Sequence, residues 1–122
     1  MNRTTLLALL LAATGLAPSV LAAAEPHARL SVSRTRGGEV VASVKGTVRA
    51  CGITATNDEP TFVVHERVVE VSQPMAGVAC MNPPPRSRPY RRSVNFGRLP
   101  PGRYTIRWSY PELRADYVVR TR

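Results

Sequence analysis

The chain has 122 residues, and its 17 Lys and Arg residues against 8 Asp and Glu residues give a formal net charge of +9. A chain of this length accommodates one domain, so a multi-domain enzyme and a fold built around a large cofactor are excluded. Its 11 prolines and 8 glycines favour turns over long helices and exclude a coiled coil.

The first 24 residues have the three parts of a secretory signal peptide. Arg3 supplies a positive start, residues 6–13 form a short apolar run, and three alanines at 22–24 precede a cleavage site. The apolar run is too short to span a bilayer, which takes about 20 apolar residues. We therefore expect residues 1–24 to be a signal peptide and residues 25–122 to be the mature domain, periplasmic or secreted and without a transmembrane segment.

Two cysteines, Cys51 and Cys80, lie in the mature part of the chain. Export delivers them to an oxidising compartment, and an even number of cysteines in a small secreted domain favours a disulfide. Their spacing fits neither a C-x-x-C redox pair nor a zinc-binding pattern. The sequence therefore predicts a structural disulfide, which would stabilise a domain too small to bury a large core.

Two segments of the mature chain alternate regularly between apolar and polar residues. In the first, valine, alanine and glycine occupy every second position from Val40 to Ala50. In the second, aromatic residues and one isoleucine occupy every second position from Tyr104 to Tyr110. Such alternation indicates half-buried strands of an antiparallel sheet. Less regular strand candidates are residues 28–35, 61–72, 78–81, 90–97 and 115–121.

Turn residues separate these candidates into short pieces. Two glycines at 37–38 predict a tight hairpin, residues 57–60 a loop, and three prolines at 83–85 a polyproline stretch. The segment 61–72 changes its alternation near Glu66, which predicts either a bulge or two shorter strands. Together these features predict an all-β fold, a single antiparallel β-sandwich of about seven strands with one disulfide.

One corner motif carries a resemblance to known proteins. The segment 94–106, V-N-F-G-R-L-P-P-G-R-Y-T-I, reads as strand, tight corner and strand. It resembles the L-P-x-G-x-Y tyrosine corner of prealbumin-like and fibronectin-type modules, and the chain resembles small exported bacterial β-sandwich proteins of unknown function. The resemblance implies an immunoglobulin-like or prealbumin-like fold and an exported location, and it implies no activity. Its corner residues would be Leu99 at the core edge, Pro101 and Gly102 in the turn, and Tyr104 with its hydroxyl on a backbone group.

Patterns for catalysis or metal binding do not occur among the titratable residues. His27 would be third in the mature chain, but Pro26 lacks the amide hydrogen that an amino-terminal copper site gives up. His65 reads as an ordinary strand histidine. Glu66 and Glu70 would lie some 13 Å apart along a strand at about 3.3 Å per residue, too far for a carboxylate pair. We therefore expect no enzyme activity, no metal and no cofactor.

Arginine dominates the positive charge, with 16 arginines against one lysine. Four arginines surround a tyrosine just after the prolines, namely Arg86, Arg88, Arg91 and Arg92 with Tyr90. Because arginine binds carboxylate and phosphate in a planar, bidentate geometry, this predicted loop is a candidate site for an anionic glycan, a lipid headgroup or an acidic protein surface. The alternative is that the charges only solvate the surface. Nucleic acid is not expected, because an exported protein rarely meets it.

Three functions stay open on the sequence alone. The first is an exported module that binds an anionic envelope component or another exported protein through basic loops. The second is an inhibitor of a protease or lysozyme that inserts the proline-stiffened loop 82–88 into its target. The third is a hydrolase with an unrecognised site. The lack of a catalytic constellation favours the first.

Overall fold

The structure, a computed structural model, describes residues 27–82 and 86–121. Within those ranges the chain forms nine strands and no helix, so the prediction of an all-β fold is confirmed. The predicted signal peptide, residues 1–24, lies outside the described residues. The strands are β1 (His27–Arg34), β2 (Val40–Val48), β3 (Gly52–Ala55), β4 (Thr61–His65), β5 (Val68–Ser72), β6 (Met75–Val78), β7 (Arg88–Asn95), β8 (Gly102–Trp108) and β9 (Leu113–Val119).

The strands form two larger sheets and one small one. A three-stranded sheet has the order β1-β2-β7, a four-stranded sheet the order β4-β5-β8-β9, and β3 pairs with β6. Neighbouring strands are antiparallel except β5 and β8, which are parallel. Parallel neighbours need a crossover, and here the chain passes through β6 and β7 before it returns as β8.

The core of the β-sandwich lies between the inward faces of the two larger sheets. Every second side chain of β2 and β8 points inward. This agrees with the alternation of apolar and polar residues that predicts both strands from the sequence. Trp108, Tyr90 and Tyr104 are the largest side chains buried there. Valines from β2, β5, β7 and β9 fill the remaining space: Val40, Val44, Val48, Val69, Val71, Val94 and Val119.

Several predicted strand limits differ from the observed ones. The segment 61–72 forms two strands, β4 and β5, joined by a turn in which Glu66 has a φ of 57°, so the bulge alternative is wrong. The strand predicted at 78–81 is wrong, because β6 ends at Val78. The predicted strand 90–97 begins earlier, at Arg88, and includes Pro89. Proline is tolerated there because β7 is an edge strand of its sheet.

The predicted disulfide between Cys51 and Cys80 is confirmed, with an S–S distance of 2.02 Å and a Cα–Cα distance of 5.1 Å. Cys51 directly precedes β3 and Cys80 follows β6, so the bond closes the end of the two-stranded sheet at which Gly52 pairs with Val78. A two-stranded sheet is marginally stable by itself, and the disulfide holds this one together. The bond also indicates an oxidising environment. Among the described residues no helix is long and apolar enough to cross a membrane.

Candidate functional site

The arginine segment predicted as a loop is mostly strand. Since β7 begins at Arg88, successive side chains point to opposite faces of the sheet. Tyr90 is buried, and Arg88 and Arg92 are half-buried on its face of the strand. Arg91 lies on the opposite, outward face, and Arg86 is exposed ahead of the strand. The prediction that these five side chains share one exposed loop is therefore wrong.

Tyr90 connects the two larger sheets through hydrogen bonds. Its side chain is 1% exposed, and its hydroxyl donates to Oε1 of Gln73 at 2.5 Å. The same oxygen accepts the indole N–H of Trp108 at 3.1 Å. Burial raises the pKa of Tyr90 above its usual value, and the hydrogen bond from Trp108 and the charges of Arg92 and Arg88 oppose this only in part. Tyr90 is therefore a protonated, structural residue.

The two inward arginines hold β7 against the last residue of β3 and the residue that follows it. Arg92 donates to the carbonyl of Thr56 at 2.9 Å, and its guanidinium lies 5.0 Å from the ring centroid of Tyr90. Arg88 donates to the carbonyl of Ala55. Both side chains therefore already make contacts within the domain.

The outward face of the three-stranded sheet carries a row of three cations. Arg29 of β1 pairs in register with Lys45 of β2, and Lys45 pairs with Arg91 of β7. All three side chains are exposed. Because neighbouring strands lie about 4.8 Å apart, the row spans about 10 Å from Arg29 to Arg91. Three positive charges thus lie side by side across the whole sheet.

A row of serines follows the row of cations. Ser31, Ser43 and Ser93 are in register on the same face, two residues along each strand and thus about 7 Å away. The Oγ atoms of Ser43 and Ser93 are 2.9 Å apart, within hydrogen-bonding distance. We call these two rows, Arg29–Lys45–Arg91 and Ser31–Ser43–Ser93, the basic face.

No acidic residue occupies an outward position on the three described strands of this sheet. Like charges directly opposite each other on neighbouring strands destabilise a sheet. A bound anion would relieve that repulsion, and the serine hydroxyls would add hydrogen-bond donors. An open pocket of about 520 Å³, lined by His27, Ala28, Arg29, Lys45 and Gly46, adjoins the row.

The outward face of the four-stranded sheet has a different charge pattern. Glu70 pairs in register with Arg107, and Thr105 donates to the carboxylate of Asp116 at 3.0 Å. An open pocket of about 630 Å³ on this face is lined by residues of both signs, Glu70 and Glu112 with Arg107 and Arg114 among them. Charges of both signs are mixed on this face, with Arg107 between Glu70 on one side and Arg114 on the other, which is typical of an ordinary solvated surface.

The corner residues identified in the sequence lie together before and within β8. The hydroxyl of Tyr104 donates to the carbonyl of Pro100 at 2.6 Å, and Leu99 is half-buried against the core. Gly102 has a φ of 148°, a conformation that residues with a Cβ rarely adopt. These contacts give Leu99, Gly102 and Tyr104 structural roles, and the carbonyl of Pro101 accepts a further hydrogen bond.

Arg67, which the sequence did not single out, completes this corner. It donates to the hydroxyl of Tyr104 and to the carbonyl of Pro101, each at 3.0 Å, and its guanidinium lies 5.2 Å from the centroid of the Tyr104 ring. A Cβ on Gly102 would collide with that guanidinium. The contact arises because the β4–β5 turn lies against the corner, which no local sequence signal reveals.

Neither histidine lies in a cluster of metal-ligand type. Among residues 27–82 and 86–121 there is no group of three or more His, Cys, Asp or Glu side chains able to hold a metal ion. His27 and His65 are both exposed strand residues. The prolines at 83–85, on which the inhibitor hypothesis depends, lie outside the described residues.

Comparison with known proteins returns no relative of this chain. No protein-family model matches it, and neither does any curated protein or any solved structure. The basis for a function is therefore the geometry of the basic face.

Proposed function

We propose that this chain is an exported β-sandwich module that binds an anionic partner on its basic face. The observation that carries the proposal is the row of Arg29, Lys45 and Arg91, in register across three strands with no acidic residue beside it. The predicted signal peptide and the oxidising environment that the disulfide indicates favour a partner from the cell envelope or another exported protein.

The residues of the basic face favour phosphate, sulfate or carboxylate groups. Each guanidinium offers two parallel N–H donors to such a group, whereas the lysine contributes a point charge. Spacing of about 4.8 Å between neighbouring strands suits several anionic groups on one polymer or surface better than one small ion. Arg91 belongs both to this row and to the arginine cluster recognised in the sequence. Arg88 and Arg92 have a different role, since they donate to backbone carbonyls of the domain.

The test is a titration of the mature protein against lipopolysaccharide, peptidoglycan fragments and anionic phospholipid vesicles. We expect binding to at least one of them, and we expect the triple variant Arg29→Ser, Lys45→Ser, Arg91→Ser to lose it while retaining its fold. Loss of exposed charges changes stability little. Binding should also weaken with added salt, because the Debye length falls from about 10 Å at 0.1 M to about 3 Å at 1 M.

A matched control removes the same charge from the other sheet. The variant Arg103→Ser, Arg107→Ser, Arg114→Ser loses three exposed arginines from the outward face of the four-stranded sheet. It should bind almost as tightly as the unaltered protein. Equal weakening by both triple variants would show attraction by net charge alone, and no binding by the unaltered protein would contradict the proposal outright.

Export itself has a separate test. Protein recovered from its native host should begin near Glu25 and should be found in the periplasmic or culture fraction. Intact mass and fractionation measure both properties, and a cytoplasmic protein that retains residues 1–24 would contradict the exported location.

A further inference from the structure

The first three residues of β1 and two residues of β2 line a pocket at one end of the basic face. Its volume is about 520 Å³, and its lining residues are His27, Ala28, Arg29, Lys45 and Gly46. Volumes of about 300–1,000 Å³ are typical of sites for small molecules. The pocket is therefore large enough for one charged group together with the chemical unit that bears it.

Side chains with N–H donors occupy three of the five lining positions. His27 and Arg29 are both exposed on the outward face of β1, two residues and thus about 7 Å apart. Lys45 lies opposite Arg29 on β2, and directly opposite residues of an antiparallel pair have Cβ atoms about 4.5–5.5 Å apart. Three nitrogen-bearing side chains from two strands therefore surround the pocket.

The other two lining residues, Ala28 and Gly46, are small and leave space between those side chains. They are in register with each other. The two strands approach closely at this point, since a Cβ on Gly46 would collide with the carbonyl of His27. Among the described residues, no carboxylate lines the pocket. The pocket is therefore open, positively charged and rich in hydrogen-bond donors.

We propose that this pocket binds one dianionic phosphate group, with Arg29 and Lys45 neutralising its charge and His27 donating an N–H to it. The inference rests on the proposed function, because it names the anionic group that this part of the basic face recognises. Arg91 lies outside the pocket, where it can contact a further anionic group of the same ligand.

Charge favours a phosphate monoester over other anions. Arg29 and Lys45 are like charges directly opposite each other, an arrangement that destabilises neighbouring strands. A phosphate monoester carries about −1.5 to −2 charges at pH 7 and therefore neutralises both cations at once. A carboxylate, a sulfate ester or a phosphodiester carries one charge and leaves one cation uncompensated. The predicted mature chain begins at Glu25, whose carboxylate and α-amino group cancel, so this end of β1 adds no net charge.

The number of acceptor atoms favours the same group. A phosphate monoester has three strong acceptor oxygens, one for each of the three donor side chains. A carboxylate has two oxygens, which a single guanidinium already satisfies in a bidentate pair. A phosphate therefore uses all three side chains of the pocket, whereas a carboxylate leaves His27 or Lys45 without a role.

The two histidines allow the pocket to be observed directly by NMR. His27 lines the pocket, whereas His65 lies on the four-stranded sheet, so its imidazole signal is an internal control. The mature protein is titrated with glycerol 3-phosphate, glucose 1-phosphate and inorganic phosphate at constant ionic strength and about pH 7.5, where phosphate is mostly dianionic. Acetate and methyl sulfate are the comparison anions. We expect the phosphates to shift the His27 signal saturably and the His65 signal not at all, with an affinity about tenfold or more above that of acetate and methyl sulfate. The tightest of the three phosphates identifies the source as a lipid-type headgroup, a sugar phosphate or free phosphate.

Single variants test which side chains form the pocket. Arg29→Ser and Lys45→Ser should each weaken phosphate binding by about tenfold, and His27→Gln by about threefold, as for one hydrogen bond. The matched controls Arg103→Ser and His65→Gln remove exposed side chains of the same types from the four-stranded sheet. They should change the affinity by about twofold or less. Circular dichroism should show an unaltered β-fold in all five variants, because exposed charges contribute little to stability.

Failure of the phosphate pocket differs from failure of the proposed function. A His27 signal that phosphate does not shift would overturn the pocket even if lipopolysaccharide or vesicles still bind to the row of cations. So would equal affinities for glycerol 3-phosphate and acetate, or equal weakening by Arg29→Ser and Arg103→Ser. Saturable phosphate binding at His27 without binding to any envelope component would support the pocket and contradict the proposed function alone.

Discussion

Trp108 on β8 donates its indole N–H to the hydroxyl of Tyr90 on β7 across 3.1 Å, which links the two larger sheets at the centre of the core. The Tyr90 hydroxyl in turn donates to Gln73 at 2.5 Å, and Nε2 of Gln73 donates to the carbonyl of Pro74 at 3.0 Å. Buried polar groups are rarely left without a partner. The Tyr90 hydroxyl is thus the hydrogen-bond partner of two buried groups, the indole N–H of Trp108 on β8 and the side-chain oxygen of Gln73, which directly follows β5.

Tyr90→Phe should destabilise the protein. The substitution leaves the buried Trp108 N–H and the Gln73 oxygen without their partner, and each unsatisfied group costs about 1–3 kcal/mol, so we expect a loss of about 2–6 kcal/mol. The free energy of unfolding from denaturant melts measures it. Tyr110→Phe is the control, because the buried Tyr110 hydroxyl has no hydrogen-bond partner among the described residues. Equal losses in the two variants would contradict the role of the Tyr90 hydroxyl.

Stability should fall in alkaline solution in a way that depends on Tyr90. Burial raises the pKa of Tyr90 in the folded protein above its usual value of 10.0, so the folded state holds this proton more tightly than the unfolded state. Its stabilising contribution is complete below about pH 10 and is lost as the pH rises through the folded pKa. Denaturant midpoints measured across that range should fall more steeply for the unaltered protein than for Tyr90→Phe. Parallel curves would contradict this prediction.

Tyr104 should stabilise the corner through both its hydroxyl and its ring. Tyr104→Phe loses the hydrogen bond to Pro100 and should cost about 1 kcal/mol. Tyr104→Ala also leaves a cavity in the core and should cost about 3 kcal/mol or more. Denaturant melts of the three proteins measure both differences, and a Tyr104→Ala variant as stable as the unaltered protein would refute the structural role.

Reduction of the disulfide should lower stability substantially. Opening a loop of this size costs roughly 3–4 kcal/mol in the chain-entropy model. Melts with and without reductant measure the loss, and the double variant Cys51→Ser, Cys80→Ser should melt like the reduced protein. Thiol labelling of denatured, unreduced protein should find no free cysteine. A melt unchanged by reductant would show that the small sheet needs no covalent closure.

Gly46→Ala should be destabilising although the residue sits in a strand. A Cβ at position 46 would collide with the backbone carbonyl of His27 and with Ala28 on the neighbouring strand. We expect a loss of about 1–3 kcal/mol, as for other overpacked sites. Gly77→Ala is the matched control, since its Cβ would lie 3.7 Å from Cδ1 of Ile53, an ordinary contact. A difference near zero between the two variants would contradict the close approach at Gly46.

Local periodicity in the sequence was sufficient to identify two of the strands that build the core. Valine and alanine at every second position from Val40 predicted β2, and the run from Tyr104 predicted β8, because a half-buried strand places alternate residues against the core. The pairing of Cys51 with Cys80 was equally predictable, because these are the two cysteines of the chain.

The tertiary structure alone decided which residues become neighbours across the sheets. The sequence places Arg88 in a basic loop after three prolines, and it places Tyr90 and Arg92 both in that loop and in the strand candidate 90–97. Pairing with β2 makes all three strand residues and turns them toward the interior. Arg29, Lys45 and Arg91 become neighbours only through the registers of two strand pairs, far apart along the chain. A repeating pattern along one strand reports which face is buried, whereas the residue opposite depends on backbone hydrogen bonds between distant segments. The sequence alone therefore determined the disulfide and two of the core strands, whereas the basic face exists only because the tertiary structure brings its residues together.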